Sequence, residues 1–247
     1  MQHTTLPSAA ELTALAHHYN TRSFIESDPV QFPHRYTEKK DIEVSALVTS
    51  WISWGNRKQI IRTAEMIDTT LFGGKPFDYL TSRRWEAFRD DTRCFYRTMK
   101  YADFYTLMER LWSVYQDFED LEACIISHIG EGRNPAEAIS HQFCGIAGIA
   151  DARKSSPCKR LWFFLRWMVR HDGIVDLGVW QKIAPASLLI PLDTHVHHVA
   201  LQMGITTRRS ADKRTAEEIT AFFRHIFPQD PALGDFALFG YGIEHGV

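Results

Sequence analysis

The sequence predicts an all-α protein, and three observations carry that expectation. Apolar residues return at a 3.6-residue period in one stretch after another. Many of these stretches open on capping residues or prolines. No stretch alternates apolar and polar residues for long enough to make a confident strand. The 247 residues are 45% hydrophobic and 23% charged, the balance of a soluble globule, and 16 Phe with 7 Trp point to an aromatic interior. About ten helices are expected, in one or two closely packed domains.

In chain order, Ala9 to Tyr19 predicts a short helix. Next comes Asp28-Pro29-Val30-Gln31-Phe32-Pro33-His34-Arg35-Tyr36, where two prolines oppose helix and an ordered loop is expected. Val44, Leu47, Val48 and Trp51 form the first stripe, broken at Trp54-Gly55. Asn56-Arg57-Lys58-Gln59 has the spacing of a capping box, and Ile60, Ala64, Ile67 and Leu71 run on to Gly73-Gly74. Asp103 precedes a stripe through Phe104, Leu107, Met108, Leu111, Tyr115 and Phe118. Asn134-Pro135-Ala136-Glu137 supplies a cap, a proline and an acid, and Ser156-Pro157 repeats the start for a helix from Cys158 to Arg170. After a long connection from Asp172 to Pro191, Asp193 caps a helix whose stripe is Val196, Val199, Ala200 and Met203, stopped at Gly204. Thr215 with Glu218, and Asp230 with Pro231, open two more.

The net charge of −2 gives no global signal for nucleic acid, so such a partner would be held by a local basic face. Two clusters qualify. Arg153, Lys154, Lys159, Arg160, Arg166 and Arg170 stand against Asp151 alone, and Arg208, Arg209, Lys213 and Arg214 against Asp212. Cations at helix starts, beside unbonded backbone amides, suit phosphate contacts, although a solvated charged face is the usual fate of such residues. Cys94, Cys124, Cys144 and Cys158 form no C-x-x-C pair, so local spacing encodes neither a zinc site nor an iron–sulfur cluster. Reduced core thiols and no cofactor are expected. The start Met1-Gln2-His3-Thr4-Thr5 lacks a charged-then-apolar leader, and no apolar run approaches the roughly 20 residues of a membrane span. A cytoplasmic protein is expected.

The stretch Ile190 to Ala200 concentrates the chemistry. Asp193 sits where an N-cap belongs, its carboxylate aimed at the amides of the first turn. With Ser156 as cap and Pro157 first in the helix, Lys159 falls at the third helical position, facing the positive end of the macrodipole beside Arg160. Both features would lower an amine's pKa, which an amine nucleophile needs. Each residue also has a purely structural reading, a cap for Asp193 and a surface cation for Lys159.

Pro191-Leu192-Asp193-Thr194-His195-Val196-His197-His198-Val199-Ala200 resembles the V-D-T-H-V-x-R-V segment of the helix-hairpin-helix (HhH-GPD) DNA glycosylases. Asp235-Phe236-Ala237-Leu238-Phe239-Gly240 is similar to the helix that closes that fold, and Glu43 through Gln59 to its early helix pair. Together with Asp28 to Tyr36 and Ser156-Pro157-Cys158-Lys159-Arg160-Leu161, these segments resemble a bacterial family of glycosylase-like proteins from about Asp28 to Gly242.

The resemblance implies two helical lobes with a cleft between them, residues 41–158 forming the central lobe and 1–40 plus 159–247 the second. It implies excision of a damaged or modified base from double-stranded DNA, by a nucleoid-associated monomer. Asp193 would stabilise the sugar's developing positive charge, and Lys159, or more weakly Lys182, would be the Schiff-base amine of an AP lyase. Asn56, Gln59 and Trp54, with Arg160, Thr194, His195 and His198, would meet the DNA. A capping box explains Asn56 and Gln59 equally well, and Trp51 lies on a core stripe. The sequence departs from the superfamily in several places, among them the lack of a C-terminal cysteine cluster. Residues 152–158 lack the hairpin glycines, Lys159 and Asp193 lie 34 residues apart, and His198 stands where an arginine is expected. Two other readings are a non-catalytic nucleic-acid-binding protein on this scaffold, and a metal-dependent hydrolase using Asp193, His195 and His198.

Overall fold

The structure, a computed structural model, describes residues 6–246. Among the described residues there are twelve α-helices and one two-stranded ribbon. No helix is long and apolar enough to cross a membrane. The chain divides into two compact units, one made of the chain up to Phe24 together with that from Ala152, the other of Ile25–Asp151. Both boundaries differ from the expected 40/41 and 158/159, for reasons that lie in particular contacts.

Helix α1 (Ala9–Tyr19) opens on a capping box in which Ser8 and Glu11 exchange side-chain and backbone bonds, and α2 (Arg22–Ser27) follows. The Pro-marked stretch is two 3-10 turns, Pro29–Gln31 and Pro33–Arg35, rather than a loop. Proline presets the φ of a first helical turn while blocking a longer helix, so each turn starts at its proline. Arg35 then pairs with Glu65 at 2.6 Å and Asp68 at 2.7 Å, and the Tyr36 hydroxyl donates to Asp68. These bonds tie residues 25–40 to the central unit.

In that unit α3 (Lys39–Ile52) is buried from Ile42 to its end. Its Glu43, fully buried, accepts from the Tyr115 hydroxyl at 2.7 Å and the Leu121 and Glu122 amides at 3.1 and 3.3 Å. A buried carboxylate holding three donors is satisfied, and it clips α3 to the two helices that carry them. Helix α4 (Arg57–Met66) is shorter than its stripe, because Ile67–Leu71 widens into a π turn. The short α5 (Pro76–Thr81) and the 3-10 turn Arg84–Phe88, which covers the buried Trp85, went unanticipated. So did the antiparallel strands β1 (Cys94–Tyr96) and β2 (Met99–Lys100), too short for an alternating pattern to show. Helix α6 (Tyr101–Asp117) begins before Asp103, which sits at its third position and accepts from the Lys100 amide at 2.7 Å. Helices α7 (Leu121–Gly130) and α8 (Pro135–Gln142) follow, the latter on the full capping box of Asn134 and Glu137.

The other unit holds α9 (Lys159–Val169), α10 (Thr194–Gln202), α11 (Lys213–Ile226) and α12 (Gly234–His245). Helix α11 starts two residues before Thr215, on an Asp212 cap, and Asp230-Pro231 opens a 3-10 turn ahead of α12. Segment 152–158 belongs here because Lys213 grips it, its amide donating to the Ser155 carbonyl at 2.8 Å and its amine to the Ala152 carbonyl at 3.1 Å. Helix α12 packs on α1 and α10 through glycines. A Cβ on Gly240 would collide with the Tyr19 ring, and one on Gly242 would stand 2.6 Å from the His195 ring.

Arg166 and Arg170 do not join a basic face. Both are buried, Arg166 on α9 and Arg170 at its C-cap, in a network with Asp172, Asp176, Asp230 and Asp235. Asp176, fully buried, bridges the two guanidinium groups and pins the long connection under α9. The four cysteines form no disulfide, but Cys94 and Cys144 are exposed, so only Cys124 and Cys158 are the expected core thiols.

Candidate active site

Within the chain-end unit the N-termini of α9 and α10 meet at two side chains. Asp193, in extended backbone, caps α10 as expected: its Oδ1 accepts from the Val196 amide at 2.8 Å. That bond fixes the carboxylate and leaves Oδ2 facing the Nζ of Lys159 at 3.3 Å. The two side chains are 28% and 30% exposed, open to solvent yet held.

Lys159 does not reach this place as the sequence suggested. Cys158, not Ser156, stands at the helix mouth, in the left-handed conformation with φ of +48°, and Lys159 is the first helical residue instead of the third. Ser156 makes a local turn instead, its hydroxyl accepting from the Cys158 amide at 3.3 Å. A left-handed backbone at a residue with a Cβ costs about 1–2 kcal/mol. Here the glycine-free segment 152–158 bends at a buried cysteine directly before the amine. One turn on, the Phe163 ring lies 5.1 Å beneath Nζ, a second hold on the ammonium.

Around the pair, Thr194 is exposed as the first residue of α10, and Arg160 is half-buried beside Lys159. His195 packs on α12, edge-on to Phe239 and over Gly242. His198 is exposed, with Nε2 3.3 Å from the Gln202 amide nitrogen. Lys182 is exposed in the long connection, and it is Lys159 that stands at ion-pair distance from Asp193. Among the described residues no group of three or more His, Cys, Asp or Glu is arranged to hold a metal ion. Of the two histidines of the metal reading, His195 packs on α12 while His198 stands exposed beside Gln202.

Trp54, Asn56 and Gln59 belong to the central unit. The Trp54 ring meets Tyr96 edge-on and carries the Arg97 guanidinium 4.4 Å above it, while Gly55, at φ of +94°, lets Arg97 lie across the turn. Asn56 supplies one half of the capping box, accepting from the amides of Lys58 at 3.0 Å and Gln59 at 3.4 Å. Gln59 is exposed. Trp51 is core, its indole nitrogen donating to the Ala147 carbonyl at 2.8 Å. Sequence reasoning missed His197, whose Nε2 donates to the Arg208 carbonyl at 2.8 Å and ties α10 to the segment ahead of α11.

A carboxylate fixed by a backbone donor, with an amine at ion-pair distance and solvent access to both, can stabilise a developing cation and supply a nucleophile beside it. Fold and site together define a mostly helical protein with a lysine–aspartate pair set at two helix starts. The chain belongs to the family described as "Protein of unknown function (DUF2400)", whose match spans residues 28–244. No curated protein and no solved structure matches it.

Proposed function

We propose that this chain is a DNA glycosylase of the helix-hairpin-helix kind, one that excises a damaged or modified base from duplex DNA and uses Lys159 as an AP-lyase amine. The observation that carries this reading is the 3.3 Å approach of Lys159 Nζ to Asp193 Oδ2, on a carboxylate already fixed by the Val196 amide. When the bond from C1′ to the base breaks, the electron pair leaves with the base and the sugar turns cationic. The Asp193 carboxylate stabilises that charge without having to reorient. Lys159 gives up a proton, for which Oδ2 is the neighbouring acceptor, and its nitrogen bonds to C1′. Opening of the sugar ring, with a proton to the ring oxygen, leaves an imine on Lys159.

The base must leave the stack, at about a few kcal/mol, and Trp54 or the exposed Gln59 would fill or read the gap. In this reading the two units are the lobes of a glycosylase-like fold. The protein works as a monomer at the nucleoid, without an iron–sulfur cluster or other cofactor. The test is alkali cleavage of a panel of modified-base duplexes. Wild-type protein is expected to make abasic sites in at least one, and Asp193→Asn to abolish the product while DNA binding persists. Binding with no product across the panel would make the chain a non-catalytic nucleic-acid-binding protein.

A further inference from the structure

Part of each basic cluster of the sequence lines one cavity. Arg153 and Lys154 precede α9, Arg208, Lys213 and Arg214 surround the start of α11, and all five line a space of about 470 Å³. That is within the size of ordinary small-ligand sites, roughly 300–1,000 Å³. Two acids, Asp212 and Glu217, also line it. Asp212 is engaged as the α11 cap. Its Oδ1 takes the Thr215 amide at 3.0 Å and hydroxyl at 3.1 Å, and its Oδ2 takes Arg208 at 2.8 Å. The Thr215 amide holds that carboxyl below the usual carboxylate range.

The walls are fixed by hydrogen bonds from three sides. Lys213 grips the carbonyls of Ala152 and Ser155, Arg208 Nε donates to the Thr215 hydroxyl at 2.9 Å, and His197 holds the Arg208 carbonyl. The 14-residue α11 turns its positive end toward this space. Five cations against two acids, one of which is paired with Arg208, leave the hollow with an excess of positive charge that an anion would offset. Lys154 and Arg214 are exposed, where an incoming group would meet them.

We infer that this cavity binds phosphate, either a backbone phosphate of a nucleic acid or a free polyphosphate. Phosphate binding here needs no base excision, so undamaged DNA is the probe. Full-length protein would be titrated with a labelled unmodified duplex over a salt series, and by calorimetry with tripolyphosphate. K154E/R214E would be compared with wild type, and thermal melting would check its fold. If the duplex occupies the cavity, the variant binds it at least about tenfold more weakly, and the slope of log affinity on log salt falls by about 2. If free polyphosphate occupies it, tripolyphosphate binds wild type, the variant loses that binding, and the duplex titration is unchanged. A folded variant that matches wild type in both titrations overturns the inference, as does a wild type that binds neither probe. Should the charge reversal unfold the protein, K154A/R214A takes its place in both titrations, where weakened binding supports the site and unchanged binding overturns it.

Discussion

Replacing Asp193 by asparagine separates its two jobs. Asparagine caps a helix about as well as aspartate, so the bond to the Val196 amide survives. What goes is the charge. The partner amine is 3.3 Å away on a pair of side chains roughly 30% exposed, a setting in which ion pairs contribute about 0.2–1 kcal/mol. Loss of a negative charge at the α10 N-terminus adds about 0.3–1 kcal/mol. The melting temperature of Asp193→Asn should therefore fall by less than about 8 °C. Asp193→Ala loses the cap as well and should lie about 1 kcal/mol lower still. Activity should follow a different order. Under the proposed excision, both variants remove the fixed charge from the sugar, at about 2.7–4 kcal/mol, so each should lose roughly 10²–10³ in rate on a duplex the wild type cleaves. Melting curves read beside single-turnover excision make the comparison. Near wild-type excision by Asp193→Asn, or unfolding of that variant as severe as for a buried charge, would overturn this division of roles.

Three further outcomes follow from the packing. Asp176→Ala strands Arg166 and Arg170 in the interior without their shared acid, and should destabilise by about 3–5 kcal/mol, a drop of about 6–20 °C in thermal melting; a drop within 2 °C or so would mean the network is replaceable. Gly242→Ala drives a methyl group into the His195 ring and Val199, and should cost about 1–3 kcal/mol by the same measure, whereas a neutral result would show that α10 and α12 can part. Burial, helped by Asp117, pushes the Cys124 thiol up to about 11. The unfolded thiol ionises first, at about pH 8.5, so this contribution is complete below that pH and is lost as pH rises toward about 11. Stability should thus decline over that alkaline window less steeply in Cys124→Ala. Below it, iodoacetamide should label the exposed Cys94 and Cys144 well before Cys124.

What could be read from the sequence was local. The Asp193 cap, the apolar stripe behind it and the Asn134 capping box each depend on residues within one or two turns, and each stands as expected. The register of Lys159 was hidden, because a cysteine in the left-handed conformation leaves no trace of the kind a glycine would. Arg166 and Arg170 read as surface cations because charged side chains usually are, and their acids are spread over residues 172–235 with no period to betray them. The meeting of Arg153 with Arg214 depends on chain reversals that no local pattern encodes. Proline turns and a ribbon of two very short strands fall below the length at which periodicity speaks.

The proposed lyase role of the amine beside Asp193 can be tested without identifying any base substrate. A duplex carrying an abasic site would be incubated with the protein under borohydride, which reduces an imine to a stable bond, and the joined peptide located by mass spectrometry. A trapped complex through Lys159 is expected, one that disappears in Lys159→Ala and persists, more slowly formed, in Asp193→Asn. Absence of any trapped complex, or one joined through Lys182, would rule out Lys159 as the lyase amine.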